Sequence, residues 1–208
     1  IIIYGWVKTF RSKRFINLND GSCLNDLQCV VDYEKLEESK LSEINTGACI
    51  KVEGEIVKSQ GQGQNIELIA NSIDILGESD PEKFPIQPKK HSFEFLRENA
   101  HLRVRTKTLS SVFRIRSEVS YAIHNFFNKN NFYYIHTPII TGSDAEGAGE
   151  MFRVTTLDSS KKNLDFSEDF FGKETNLTVS GQLEAEALAL DLGNVYTFGP
   201  TFRAENSN

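Results

Sequence analysis

The hydrophobic period of this chain changes once, and a proline-bearing stretch marks the place. Up to residue 76, apolar and polar side chains alternate or run in short β-branched blocks, whereas from Thr106 to Asn130 they recur at helical spacing. Between the two, Gly77 to Lys90 holds Pro81, Pro85 and Pro88, with acids first and lysines after. Proline fixes φ and offers no amide donor, so neither a long helix nor a central strand runs through such a segment, which reads as extended. The chain therefore divides into residues 1–76, a linker or hinge over 77–105, and residues 106–208.

The first part reads as β-rich. Ile1–Lys8 is β-branched and aromatic, Arg14–Asn19 alternates up to a turn at Asp20-Gly21, and Leu27–Asp32 is a third strand. From Tyr33 to Ile44, Leu36, Leu41 and Ile44 among polar residues predict a short amphipathic helix, ended at Asn45-Thr46-Gly47. Ala48–Lys58 and Asn65–Leu76 are two more strands around Gly61-Gln62-Gly63. Five strands with a helix between the third and fourth is the order of an OB-fold barrel, a common oligonucleotide reader.

The second part has a different build. Leu109, Val112, Phe113, Val119, Ile123, Phe126 and Phe127 share one face of a helix over 106–130, with Thr106 or Thr108 as its N-cap. A strand at Phe132–His136 ends at Thr137-Pro138, Thr141–Glu150 is a Gly- and acid-rich loop, and Met151–Thr155 is extended. Asp158–Glu168 is a polar surface excursion. Leu177–Val179 is a short strand, Leu183–Leu192 a helix capped by Gly193, and Val195–Phe198 with Thr201–Glu205 an antiparallel pair. The order predicts an α+β domain with an antiparallel sheet.

Composition excludes several classes. Hydrophobic residues at 39% are too many for a disordered chain, and no run of eighteen apolar residues exists to span a membrane. The first residues lack the pattern of a secretory signal, so the expectation is a cytoplasmic chain with no membrane partner. Cys23, Cys29 and Cys49 form no C-x-x-C pair and read as reduced and structural. His91, His101, His124 and His136 are too scattered for a metal set and read as surface or packing residues. No phosphate-binding G-x-x-x-x-G-K-[ST], H-E-x-x-H or G-x-S-x-G occurs.

The last segment carries the most chemistry. In Thr201-Phe202-Arg203-Ala204-Glu205, strand alternation puts Arg203 and Glu205 on one face, about 7 Å apart. A guanidinium grips phosphate with two hydrogen bonds, and a carboxylate accepts from an adenine amino group. From spacing alone, a solvated cross-strand ion pair is the favoured reading.

The wording of the segment adds to the spacing. Phe198 to Asn208 resembles motif 2 of class II aminoacyl-tRNA synthetases, of the aspartyl/asparaginyl/lysyl subgroup, in its asparaginyl form. Phe126–Pro138 resembles motif 1. The loop from Gly142 to Phe152 and the run Val179-Ser180-Gly181-Gln182-Leu183 are similar to the same enzymes. So are Gly5-Trp6-Val7 and Asn19-Asp20-Gly21-Ser22, which match the family's OB-fold anticodon-binding domain. The resemblance covers nearly the whole chain.

The resemblance implies a ligase that activates asparagine with ATP, using Mg²⁺, and transfers it to the tRNA for asparagine. Arg203 would hold the ATP α-phosphate, and Glu205 would contact the adenine. Glu146, in a loop that closes, would hold the substrate ammonium, and Gln182 with Ser180 would orient the amino acid. In the barrel, Phe15 would stack on an anticodon base, or else serve as a core residue. Gln28 would read a base edge, Glu67 would accept from a guanine, and Arg11 and Arg14, with Lys8 and Lys13, would meet phosphates in a protein of net charge −6.

The choice of amino acid rests on one position. Aspartate needs a cation opposite its side chain, since an unpaired buried charge is very costly. The related aspartyl enzymes place a lysine three residues after the equivalent of Gln182, and here that residue is Ala185, with Glu184 and Glu186 beside it. A neutral amide suits this better. The family's motif 3 and the Mg²⁺ ligands are expected beyond Asn208, so the chain reads as the truncated N-terminal portion of a homodimeric enzyme, inactive alone. The alternatives are an aspartyl enzyme of relaxed tRNA specificity and a non-catalytic OB-fold tRNA-binding fragment.

Overall fold

The computed structural model describes residues 1–32, 41–61, 63–145, 147, 151–161 and 163–205. They form two compact units, Ile1–Arg116 and Ser117–Asn208.

In the first unit, β1 (Ile2–Arg11), β2 (Phe15–Asn19), β3 (Leu27–Val31), β4 (Cys49–Lys58) and β5 (Ile66–Gly77) close a barrel in the order β1-β2-β3-β5-β4. Within the barrel β3 and β5 pair parallel, and the other neighbours pair antiparallel. The alternation that marked the strands in sequence sets their inner face. Val7, Ile16, Leu18, Ile50, Val52 and Leu68 are each 3% exposed or less, and Leu41, Ile44 and Ala48 join the same core. Of the helix expected over Tyr33–Ile44, residues 33–40 lie outside the described residues. Gly47 beyond it has φ +92, as a left-handed end requires.

Gly54 closes the barrel seam. Strand β4 shifts register between Glu53 and Gly54, and a Cβ at Gly54 would run into the carbonyl oxygen of Ile69 on β5. The barrel can approach itself there only with a glycine.

The segment after β5 packs back on the barrel. Residues 78–91 contain no helix or strand, as the prolines require. The stretch beyond, for which periodicity gives no element, forms α1 (Phe93–Glu98) and a 3-10 turn at Arg103–Arg105, with Ile86 and Leu96 buried. Ser92 caps α1 by accepting from Phe95 N. The Arg105 guanidinium lies 4.9 Å from the Trp6 ring centroid and 5.6 Å from that of Phe84, and its Nη1 donates to Gly47 O at 3.3 Å. This sandwich couples the segment to the barrel through cation–π contacts and one hydrogen bond.

Helix α2 (Lys107–Lys129) begins where Thr106 Oγ1 accepts from Leu109 N, which selects Thr106 as the cap. No residue of α2 is buried, and Ile115, Val119, Tyr121 and Phe126 are at least half exposed.

The second unit holds two small sheets. Strands β7 (Ile140–Thr141), β8 (Arg153–Val154) and β9 (Thr175–Leu177) form one in the order β7-β9-β8, all antiparallel. Helix α3 (Gln182–Leu192) ends at Gly193, φ +75, as its cap predicted. Strand β6 (Tyr133–Tyr134) and β10 (Val195–Tyr196) form the other sheet, and they pair parallel.

That pairing corrects the expected hairpin between Val195–Phe198 and Thr201–Glu205. Residues 201–205 carry no strand, and Phe202 N donates instead to Thr178 O at 2.9 Å. Two causes compete against the hairpin. Pro200 has no N–H for a ladder, and aromatic packing holds β10 elsewhere. Phe127 of α2 stacks on Tyr196 with centroids 4.4 Å apart, and His124 Nδ1 meets the Tyr196 hydroxyl at 2.7 Å. Tyr134 and Phe198 pack edge-on to the same imidazole at 4.8 and 5.0 Å. His124 is thus a packing residue, as its isolation in sequence suggested.

Candidate functional site

Two clusters of side chains stand out, one in each unit. In the barrel, alternation sends Phe15 and Asn17 of β2, Gln28 and Val30 of β3, and Glu67 and Ile69 of β5 to the outer face. Pairing of Phe15 with Val30 and of Asn17 with Gln28 aligns them across the strands. Arg11, Arg14, Phe15, Gln28 and Glu67 all line one open groove of about 850 Å³. These five are therefore brought to one place, whereas Lys8 is not among the residues lining the groove and gives its ammonium to Arg105 O instead.

The groove has a basic end and an acidic floor. Arg11 and Arg14 are exposed at the β1–β2 turn, where Arg14 N donates to Arg11 O at 3.0 Å. Ser12 and Lys13 between them take φ +53 and +52, a left-handed pair without glycine. The Arg14 guanidinium sits 5.8 Å from the centroid of the half-buried Phe15 ring. On the floor, Gln28 Nε2 donates to Glu67 Oε2 at 3.1 Å. Ser59 Oγ and Gln64 Nε2 donate to the same oxygen, each at 3.2 Å. Sequence reasoning missed Ser59 and Gln64, since a Ser-x-Gly-x-Gly-Gln run signals only a turn. Chemically the groove offers an aromatic face, carboxylate and amide acceptors, and two guanidinium groups: a place for unstacked bases on a phosphate backbone.

In the second unit the candidate residues lie around the end of β9. Past Leu177, Thr178 Oγ1 donates to Ser180 O at 2.6 Å, and Ser180 Oγ accepts from Gln182 N at 3.1 Å. These bonds set the entry into α3. Gly181 at this corner lies against Thr137, and a Cβ would collide with the threonine hydroxyl. The Gln182 side chain lies along its own helix, with Nε2 donating to Glu186 Oε1 at 2.8 Å. An exposed bond of this kind contributes only about 0.2–0.5 kcal/mol, so a ligand can displace it.

Arg203 and Glu205 are exposed on the irregular segment 201–205. The bond from Phe202 N to Thr178 O ties that segment to the Ser180–Gln182 corner. Glu146 lies outside the described residues. Asp169, unremarked in sequence, is 8% exposed and accepts from the Thr156 hydroxyl at 2.6 Å, Thr156 N at 3.0 Å and Phe170 N at 2.7 Å. Hydrogen bonds from the Thr155 and Thr156 hydroxyls and from backbone amides hold its carboxyl well below the ordinary carboxylate range. Its role is to close the excursion after β8 on itself.

Among the described residues no three His, Cys, Asp or Glu side chains gather at one point. No helix among them is long and apolar enough to cross a membrane.

Comparison with known proteins assigns a family to each part of the chain. Residues 92–208 match the family of class II tRNA synthetases (D, K and N), and residues 1–76 match the OB-fold nucleic acid binding domain. The chain belongs to the class II tRNA synthetases of this D, K and N family. It is 55% identical to the asparagine–tRNA ligase of Cytophaga hutchinsonii over 100% of its own length and 47% of that protein. The corresponding enzyme of Lawsonia intracellularis is 57% identical over 98% of the chain and 45% of the relative. The chain thus spans about half the length of the curated relatives it matches. Among solved structures, the asparaginyl-tRNA synthetase of Pyrococcus horikoshii complexed with asparaginyl-adenylate superposes with a TM-score of 0.82, at 23% identity, covering 100% of this chain and 45% of that one. The Entamoeba histolytica asparaginyl-tRNA synthetase gives 0.79, at 23% identity, covering 99% of this chain and 46% of that one. At such identities the likeness shows the fold, a barrel followed by part of the synthetase domain.

Proposed function

We propose that this chain supplies the anticodon-binding domain and the first part of the catalytic domain of a ligase that joins asparagine to its tRNA. Residues 1–76 bind the anticodon, 77–105 form the hinge, and 106–208 belong to the catalytic domain. The observation that carries this reading is identity above half, along the whole chain, to proteins known as asparagine–tRNA ligases. Ala185 at the first turns of α3, where a lysine would have served an aspartate side chain, points to the same neutral amide.

Each side chain has a task in that reaction. The asparagine carboxylate attacks the ATP α-phosphorus, the α–β phosphoanhydride bond breaks and pyrophosphate leaves, and Arg203 stabilises the charge that grows on the phosphoryl oxygens with two charged hydrogen bonds. Glu205 accepts from the adenine amino group. Gln182, released from Glu186, orients the amino acid with Ser180, and Glu146 holds its ammonium. Mg²⁺, when bound, would neutralise phosphate charge. In the barrel Phe15 stacks on a base, Gln28 and Glu67 read base edges, and Arg11 and Arg14 hold phosphates. The uncovered apolar face of α2 suits a homodimer contact, and the working compartment is the cytoplasm.

Amino-acid-dependent ATP–pyrophosphate exchange by the whole polypeptide that carries this sequence tests the reading. Exchange with asparagine and none with aspartate is expected; the reverse would sink it.

A further inference from the structure

The Ser59 hydroxyl is saturated. Both of its acceptor positions are filled, by Gly61 N at 3.0 Å and by Gln64 Nε2 at 3.2 Å. Its single proton is given to Glu67 Oε2. Backbone closes the same loop, since Ser59 N donates to Asn65 O at 3.0 Å. Ser59, Gly61, Gln64 and Asn65 are thus tied to one another by hydrogen bonds, and the remaining valence of Ser59 is aimed at one carboxylate oxygen. Gln64 and Gln28 add their amides to that oxygen. An ionised carboxylate only accepts, so both amides must present nitrogen to it, which settles their orientation. None of these bonds uses Glu67 Oε1 or the Gln28 amide oxygen.

We propose that Ser59 and Gln64 are positioning residues for base selection, holding Glu67 and Gln28 as one two-acceptor surface for a base whose pairing edge carries adjacent N–H donors, guanine above all. The proposal rests on the reading of this groove as the anticodon site. Guanine offers N1–H and the N2 amino group side by side; adenine puts a lone pair at N1, which a fixed carboxylate repels. Donors to a single oxygen also stop the carboxylate from rotating to suit another base. Glu67 alone, on a half-exposed strand position, would adapt to either.

The test uses the whole chain and RNA hairpins whose loop carries GUU, the asparagine anticodon, with its first base guanosine, inosine (guanosine without the N2 amino group) or adenosine. Affinities are read by fluorescence anisotropy, with thermal melts checking each variant's fold. The unsubstituted chain is expected to favour guanosine over inosine about tenfold, as loss of one hydrogen bond to a charged group implies. Ser59→Ala and Gln64→Ala should each cut that ratio to about threefold or less, Ser59→Thr should restore it, and the salt dependence of binding should not move. If Glu67→Gln loses the preference while Ser59→Ala and Gln64→Ala keep it, Glu67 reads the base unsupported and the positioning proposal is overturned, with the anticodon reading intact. If the unsubstituted chain binds none of the hairpins, or binds them unchanged after Arg14→Ala and Phe15→Ala, the anticodon reading itself falls and this proposal with it.

Discussion

The backbone N–H of Phe202 donates to the carbonyl of Thr178 at 2.9 Å, and this bond joins the segment that carries Arg203 to the corner that carries Ser180 and Gln182. The proposed phosphate ligand and the proposed amino-acid ligands are thus registered by main chain, whatever their side chains do. A side-chain change at Arg203 should then affect the chemistry and spare the frame. In the whole polypeptide, Arg203→Ala is expected to slow asparagine-dependent pyrophosphate exchange by roughly 10²–10³, the usual loss for one donor to a developing anion. The melting temperature should stay constant; a matching fall in stability would instead mark Arg203 as structural.

The barrel seam makes a sharper claim on stability. A methyl at Gly54 has nowhere to go but into the Ile69 carbonyl, and the strands must separate to admit it. Gly54→Ala is expected to destabilise the chain by about 1–3 kcal/mol, the range for overpacked sites. Urea unfolding followed by the single tryptophan, Trp6 on β1, reads the barrel directly.

The cysteines should separate by reactivity. Burial pushes the Cys29 thiol up to about 12, so at neutral pH almost none of it is thiolate. Cys23 is exposed. Mass spectrometry after brief alkylation of the native chain should find Cys23 modified and Cys29 untouched until denaturant is added. Early labelling of Cys29 would mean that the barrel opens on that timescale.

Asp169 sets a pH dependence for the second unit. Its folded-state carboxyl titrates below the ordinary value because the Thr155 and Thr156 hydroxyls and nearby amides bond the charged form. The group with the depressed pKa contributes stability that is fully present above the unfolded value, about 3.9, and is lost as pH falls through the folded one. NMR titration of the Asp169 carboxyl carbon should give a midpoint below that of an unfolded Asp, and Thr156→Val should raise it. A midpoint at the ordinary value would remove Asp169 from any account of acid unfolding.

The two halves of the chain differed in how much could be read in advance. In the barrel, alternation marks the strands and their buried face, whereas Phe15, Gln28 and Glu67 were singled out by the resemblance and prove to line one groove. What escaped notice there came from a loop: Ser59 and Gln64 act through hydrogen bonds whose geometry no periodicity encodes. In the second unit the strands are two or three residues long, too short for a period to show. Aromatic contacts from α2 chose the partner of Val195–Tyr196, and a local hairpin signal lost to them. Asp169 escaped notice because an acid in a polar loop looks solvated until its donors are known.

The left-handed pair at Ser12 and Lys13 sets two demands on one turn against each other. Two consecutive positive-φ residues are the geometry that tight β-hairpins prefer, and Asn-Gly adopts it with least strain. Relaxing the backbone in that way would discard Lys13 and one cation from the turn between Arg11 and Arg14. Keeping the lysine leaves roughly 1–2 kcal/mol per residue of unfavourable torsion in that turn. On the proposed anticodon reading, a firmer barrel and a tighter grip on a polyanion pull this turn in opposite directions.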